Sequence, residues 1–283
     1  MKSMRRDLTM EIRADGVHNI HLENEKETLL ITLYAKALDY HSKHSILNDK
    51  KSAELVNAID YDFEKLNRFP NGNLMVVRAK QFDTWLADFL QIHPNATVLN
   101  LGCGLDTRVS RINPSSNVSW FDVDYPEVIK IRKQFYSNRD GYEMIASSVT
   151  EEGWLEKIPS DKPVMIIAEG LLEYFTVEEV KTLLNRLTNH FVHGQIAFDV
   201  MNSFAIESGK ESLKEVIGAE HRWAVDDTNE VDQLNGKMKK IADLSIFEST
   251  FISQLPLKYR FIYALMYRIS NFRNMIRLLL YRF

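Results

Sequence analysis

Between residues 97 and 200 short apolar runs alternate with longer amphipathic ones, and this alternation narrows the fold more than any other feature of the chain. Residues 98–101, 118–123, 164–168 and 196–200 read as strands, with a weaker one at 143–147. Each is too short for a helix and is bounded by polar or turn-forming residues. The intervening segments 107–112, 126–137 and 177–192 carry apolar residues at helical spacing. Strands interleaved with helices predict a parallel sheet with right-handed crossovers and helices on both faces. The helix at 177 has a marked start, because Thr176 and Glu179 form a T-x-x-E capping box that satisfies free N–H groups of the first turn.

Upstream of this alternation the chain reads as helical, with stretches at 27–45, 50–66 and 72–93 that end at the turn signal Pro94-Asn95. Downstream, residues after Met201 turn polar before strands expected at 244–251 and in the final IRLLLYRF. We therefore expect one domain over 1–283: a helical cap over 1–95 and a Rossmann-like core over 96–283, with a lid insertion at about 202–240.

Composition excludes several function classes. A net charge of -4 is too small for general affinity to nucleic acid. The single cysteine, Cys103, excludes a disulfide framework and a C-x-x-C zinc or redox pair, and the eight histidines show no H-E-x-x-H or comparable spacing, so no metal is expected. MKSMRRDLTMEIRADG at the N-terminus holds no apolar run of the kind a signal peptide needs. No apolar cluster approaches the roughly 18 residues of a membrane span. The expectation is a cytoplasmic protein without stable membrane insertion.

Residues 97–108, TVLNLGCGLDTR, place a glycine turn directly after the first strand. Gly102 and Gly104 fill the first two positions of G-x-G-x-x-G, and Thr107 stands at the third. Such a turn either brings backbone N–H groups toward a ligand or is merely tight. Asp122 and Asp124, in WFDVDYP, follow Gly102 at the distance where a βαβ unit presents an acid to a ribose diol, and strand alternation points both the same way. Glu169, in IIAEGLLEYF, ends the next buried strand and aims at the same crevice. Three acids there disfavour a dianionic pyrophosphate and favour a cationic ligand such as S-adenosylmethionine, which carries a sulfonium and an ammonium. The absent third glycine argues against a nicotinamide dinucleotide in the same sense. Asp106 is expected to N-cap the helix after the turn.

Taken together, NLGCGLDTR, FDVDYP and IAEGLLEYF resemble the leucine carboxyl methyltransferase family, and within it the bacterial small-molecule O-methyltransferases of the tetracenomycin polyketide type. The resemblance extends over 26–283 and includes ILNDKKS and the terminal LLLYRF. It implies a class I methyltransferase fold, a doubly wound seven-stranded sheet with an antiparallel last strand and helices that close over S-adenosyl-L-methionine. The implied reaction is methyl transfer to a carboxylate or hydroxyl of a small organic acceptor. Methylation of a protein C-terminal carboxylate and cofactor binding without catalysis are the alternatives.

By the same resemblance Arg78, in MVVRAKQFD, pairs with the cofactor carboxylate, and Gly102 lies beneath the methionine moiety with Cys103 and Gly104 in the same turn. Asp124 takes the ribose hydroxyls, and Glu169 lies near the cofactor amino group. Ser148 and Val149, in ASSVTEEGW, fall beside the adenine, where the serine departs from the family's acid. His221, in AEHRWAVDD, is the candidate base on the acceptor side, and Tyr174 is a candidate catalytic residue that lines the cofactor pocket; the plainer alternatives are a lid histidine and a core aromatic. Residues 258–283 carry six basic residues and no acid, which suits either a final helix and antiparallel strand or an amphipathic helix on an anionic membrane.

Overall fold

Seven strands make one sheet in a computed structural model that describes residues 28–68, 72–217 and 220–283. The N-terminal stretch searched above for a leader lies outside the described residues. The strands are β1 (Thr97–Leu101), β2 (Ser119–Asp124), β3 (Tyr142–Ala146), β4 (Val164–Ala168), β5 (Gly194–Met201), β6 (Lys239–Ser245) and β7 (Ile276–Arg282), in the order β3-β2-β1-β4-β5-β7-β6. The first five run parallel, and β7 inserts antiparallel between β5 and β6. Every residue of β1 and β4 is buried, as central parallel strands covered on both faces must be. The chain order reverses between β1 and β4, which opens a crevice at their carboxyl ends.

Among the helices, α1 (Thr28–Tyr40), α2 (Lys50–Ala58) and α3 (Gly72–Ile92) precede the sheet, and α4 (Arg108–Ile112), α5 (Pro126–Arg132) and α6 (Val177–His190) cross between its strands. After β5 come α7 (Ser203–Ile217), α8 (Asn229–Asp232), α9 (Leu257–Tyr267) and α10 (Ser270–Arg273). Leu183, Leu184 and Leu187 of α6 pack on one face of the sheet, and Val77, Phe82 and Leu86 of α3 pack on the other. At about 1.5–3 kcal/mol for each fully buried large apolar side chain, these two layers supply most of the drive to fold. A third, smaller core joins Leu30 and Leu33 of α1 to Leu55 of α2 and Phe63, and gives the cap its own interior.

The capping box at the start of α6 is present, with Thr176 Oγ1 accepting from Glu179 N and the Glu179 carboxylate accepting from Thr176 N. Several boundaries differ from expectation, beginning with the helix expected over 27–45, which ends at Tyr40. The stretch 50–66 divides into α2 and a 3₁₀ turn, Phe63–Arg68. The helix expected over 126–137 ends at Arg132. The strand expected at 244–251 is β6, which lies earlier and stops at Ser245. Ser245 and Glu248 form a second capping box, with Glu248 Oε2 2.6 Å from Ser245 N, and it turns the chain into 3₁₀ geometry where the apolar run IF suggested a strand.

Candidate functional site

The chain leaves β1 through two left-handed glycines, Gly102 at φ 59° and Gly104 at φ 49°. Side chains are excluded there twice over. A Cβ on Gly102 would come within 2.6 Å of Leu171 Cδ1, and one on Gly104 within 2.6 Å of Leu29 Cδ2 from α1. The turn is stitched to the end of β2, because Cys103 N donates to Val123 O at 3.3 Å and Gly104 N to Asp124 Oδ2 at 2.7 Å. Burial pushes the Cys103 thiol well up, so this cysteine is a packed side chain of the turn.

The expected N-cap is not the one observed. Thr107 holds that position without a side-chain cap bond, while Asp106 Oδ1 meets Lys36 Nζ at 2.6 Å and Arg111 Nη1 at 3.1 Å, with Arg108 on its other oxygen at 2.8 Å. Asp106 Oδ1 also accepts from Thr107 N at 2.9 Å, one residue short of the helix, so the carboxylate is shared between that N–H and three cations rather than capping the first turn. Burial alone would raise the Asp106 carboxyl, but Arg108, Lys36 and Arg111 hold it well below the usual range.

Asp122 and Asp124 share a face of β2 and differ in every other respect. Asp122 is saturated: Asn100 Nδ2 donates at 3.0 Å and Trp120 Nε1 at 2.9 Å, while Arg132 Nε donates at 2.9 Å and the Tyr142 hydroxyl at 2.6 Å. Arg132 goes on to carry the glycine turn, through Gly104 O at 3.1 Å and Asp106 O at 2.6 Å. Asp124 meets only backbone, Gly104 N and Tyr125 N, both at 2.7 Å. Its burial pushes the carboxyl up to about 6.

Arg78, on α3, reaches the carboxyl ends of β4 and β5, where Nε lies 3.2 Å from Glu169 Oε1 and Nη1 2.7 Å from Asp199 Oδ2. Asp199 also accepts from Gly170 N at 2.8 Å. A Cβ on Gly170 would stand 3.0 Å from Arg78 Nη2, so glycine makes room for the guanidinium as well as for its own φ of 63°. The second oxygen of Glu169 pairs with Arg108, whose Nε lies 2.7 Å from Asp83 Oδ1; Arg111 Nε meets Asp83 Oδ2 at 2.7 Å and its Nη1 meets Asp49 Oδ2 at 2.9 Å. Charges from the cap and from the core are thereby interlocked. Burial would lift the Glu169 carboxyl, but Arg108, Lys36 and Arg78 hold it below its ordinary value, whereas at Asp199 burial prevails over Arg78 and the carboxyl is raised.

Glu173 lies on the 3₁₀ turn after β4, buried, with Oε2 accepting no hydrogen bond among the described residues. Burial and the neighbouring Asp199 push its carboxyl up to about 8. Its backbone carbonyl accepts from Arg222 N at 2.7 Å and Trp223 N at 3.3 Å, which pins the segment following α7 against the strand ends. There the His221 ring stands 5.1 Å from that of Tyr174, and burial lowers the His221 pKa. Beyond β3, Ser148 Oγ bonds Thr150 Oγ1 at 2.8 Å, and buried Val149 accepts from Trp154 Nε1 at 3.2 Å.

The sequence-derived residues thus fall into three groups: Gly102, Cys103, Gly104 and Asp124 in one bonded unit, Arg78 with Glu169 in a second, and Tyr174 with His221 in a third. Ser148 and Val149 follow β3, joined to the first group through Ser147 N, which donates to Asp124 O at 2.9 Å. Sequence reasoning passed over Asp199, Glu173, Asp83, Arg108 and Lys36. Asp199 had a signal, since it approaches the carboxyl end of β5 as Asp124 does that of β2; Lys36 had none, because its partner Asp106 is remote in sequence.

The leucine carboxyl methyltransferase family model matches residues 20–188. The tetracenomycin polyketide synthesis O-methyltransferase TcmP of Streptomyces glaucescens is 35% identical over 274 residues, 96% of this chain and 98% of its own. The S-adenosyl-L-methionine-dependent methyltransferase dpfgK of Gibberella zeae is 34% identical over 236 residues, 75% of this chain and 79% of its own. A solved structure of a methyltransferase-like protein from Thermobifida fusca superposes with a TM-score of 0.56 at 12% identity, covering 89% of this chain and 93% of that one, which speaks to the fold alone. The acids gathered at the strand ends, and a buried Glu173 oxygen without a hydrogen-bond partner among the described residues, offer acceptors to the ammonium of a cationic cofactor. The chain belongs to the leucine carboxyl methyltransferase family and is an S-adenosyl-L-methionine-dependent methyltransferase.

Proposed function

We propose that the protein transfers the methyl group to an oxygen, carboxylate or hydroxyl, of a small organic acceptor, in the manner that the name of the TcmP relative describes. The observation that carries this proposal is the position of Arg78, a cation shared between Glu169 and Asp199 at the ends of β4 and β5, with the glycine turn at the end of the adjacent β1. In this assignment Arg78 exchanges part of its carboxylate pairing for the cofactor carboxylate, and Glu169 faces the amino group. Gly102, Cys103 and Gly104 support the methionine moiety, Asp124 accepts from the ribose hydroxyls, and Ser148 and Val149 border the adenine. Bound there, the cofactor supplies an electrophilic methyl on a sulfonium.

Tyr174 and His221 then border the acceptor. Transfer is an in-line displacement, so holding the acceptor oxygen in line is the main task of these side chains. A carboxylate acceptor needs no base. For a hydroxyl acceptor, His221 is neutral at physiological pH, because burial lowers its pKa, and it takes the proton.

Calorimetry with S-adenosylhomocysteine tests the cofactor assignment, with binding expected for the wild type and loss of about 100-fold for Arg78→Gln, as removal of a charge-assisted bidentate partner predicts. Methyl-labelled cofactor offered with panels of aromatic acids and phenols tests the acceptor. Label on low-molecular-weight products supports the proposal, and label only on protein carboxyl termini overturns it.

A further inference from the structure

α9 presents a stripe of apolar side chains to solvent. Leu257, Phe261 and Leu265 recur one turn apart along the helix, exposed by 76%, 68% and 46%, and Ile262 and Ile269 widen the stripe. Tyr263 alone on this helix is buried, stacked toward Phe247 and Tyr259 on the opposite side. Lys258, Arg260 and Arg268 are exposed beside the stripe. From Leu257 to the end, the chain holds six of its 35 basic residues and none of its 39 acidic ones. No helix among the described residues is long and apolar enough to cross a membrane.

We propose that α9 docks this protein peripherally on anionic phospholipid, with the apolar stripe in the boundary between headgroups and acyl chains and the flanking cations among the phosphates. An interfacial helix of this kind buries its apolar face about 5–10 Å deep, and its affinity joins apolar area to electrostatic attraction. Long basic side chains suit such a site, because their stems lie along apolar surface while their heads reach the phosphates. A second copy of the chain is the poorer partner, since a two-fold contact would bring two copies of a surface with cations and no acid from Leu257 onward against each other. An acidic protein would meet the charge, but a convex single-helix ridge demands a matching groove from it, whereas a fluid lipid surface adapts.

The test is co-sedimentation with vesicles of phosphatidylcholine, alone or mixed equally with phosphatidylglycerol. The wild type is expected in the pellet with the mixed vesicles and in the supernatant with phosphatidylcholine. Phe261→Asp combined with Leu265→Asp, and separately Lys258→Glu combined with Arg268→Glu, each reduce pelleting at least about fivefold, the first by removing apolar burial and the second by removing attraction. Because all four residues are exposed, the variants keep their circular dichroism and their affinity for S-adenosylhomocysteine. Equal pelleting with both vesicle types, no pelleting at all, or pelleting indifferent to these substitutions overturns the proposal. So does a dimer, seen by light scattering, that the Asp variant dissolves.

Discussion

Asp122 and Asp124 stand two residues apart on the same face of β2, yet one is saturated by side-chain donors and the other, which we propose for the cofactor ribose, meets two backbone N–H groups. Around Asp122 every donor and acceptor is internal, with Asn100, Trp120, Arg132 and Tyr142 converging on two oxygens. Around Asp124 and across the strand ends the pairing is partial: two backbone N–H groups on Asp124, a shared guanidinium between Glu169 and Asp199, and an oxygen of Glu173 with no hydrogen bond. Buried charge that is saturated specifies structure, and buried charge that is left short of partners is available to a ligand.

The contrast is broken most severely at Asp122. Asp122→Ala leaves Arg132 as an uncompensated buried cation, so a loss of about 3–5 kcal/mol is expected in urea unfolding. A loss below about 1 kcal/mol would assign the anchoring role elsewhere.

Asp124→Ala is expected to do the reverse, weakening S-adenosylhomocysteine by about 10- to 100-fold, as loss of a charged hydrogen-bond acceptor predicts, with a smaller effect on unfolding. The pH profile sharpens this. The folded carboxyl, near 6, lies above its unfolded value, so as pH falls from about 6 toward 4 this group contributes more to stability while the ionised form required by the ligand disappears. Affinity should therefore fall through pH 6 in the wild type, and a flat profile contradicts the assignment.

Glu173→Gln gives the smallest and most specific effect. With its folded pKa raised to about 8, the wild-type carboxyl loses stability progressively as pH rises from the unfolded value toward 8, and the glutamine does not. The variant should melt a few degrees above wild type at pH 9, on the order of 1–2 kcal/mol, and the difference should vanish below about pH 3.5, where Glu is protonated in both states. A melting difference independent of pH would place its origin in packing.

Much of this was legible before any coordinates. Buried parallel strands announce themselves as apolar runs, and the acids at their carboxyl ends as polar residues that close those runs, which marks Asp122, Asp124 and Glu169 alike; the choice of Asp124 over Asp122 rests on the family resemblance. Asp199 escaped because it lies within FDVM, where strand reading emphasises the apolar neighbours. The clamp joining Lys36, Asp49, Asp83, Arg108 and Arg111 escaped for a deeper reason. Its members come from α1, the start of α2, α3 and α4, and ion pairs between elements leave no periodic trace in sequence. Asp106 departs from the cap rule because that rule takes no account of its cations: Lys36 is 70 residues away in sequence, while Arg108 and Arg111 lie on the helix that Asp106 was expected to cap. Edge strand β6 was placed too late because its outer residues are half-exposed and polar.

The leucine that α1 lays against Gly104 bears on time as well as on shape. Leu29 occupies the space beside the glycine backbone, and Lys36 of the same helix is tied to Asp106 in the same turn. For a ligand seated on that turn, entry and escape past this side require α1 to withdraw and a buried ion pair to part. Such lid motions run on microsecond to millisecond scales and often govern turnover. On the proposed cofactor assignment, residence time at the glycine turn is set by a helix that precedes the Rossmann core, so changes at Leu29 or Lys36 should alter dissociation rates before equilibrium constants.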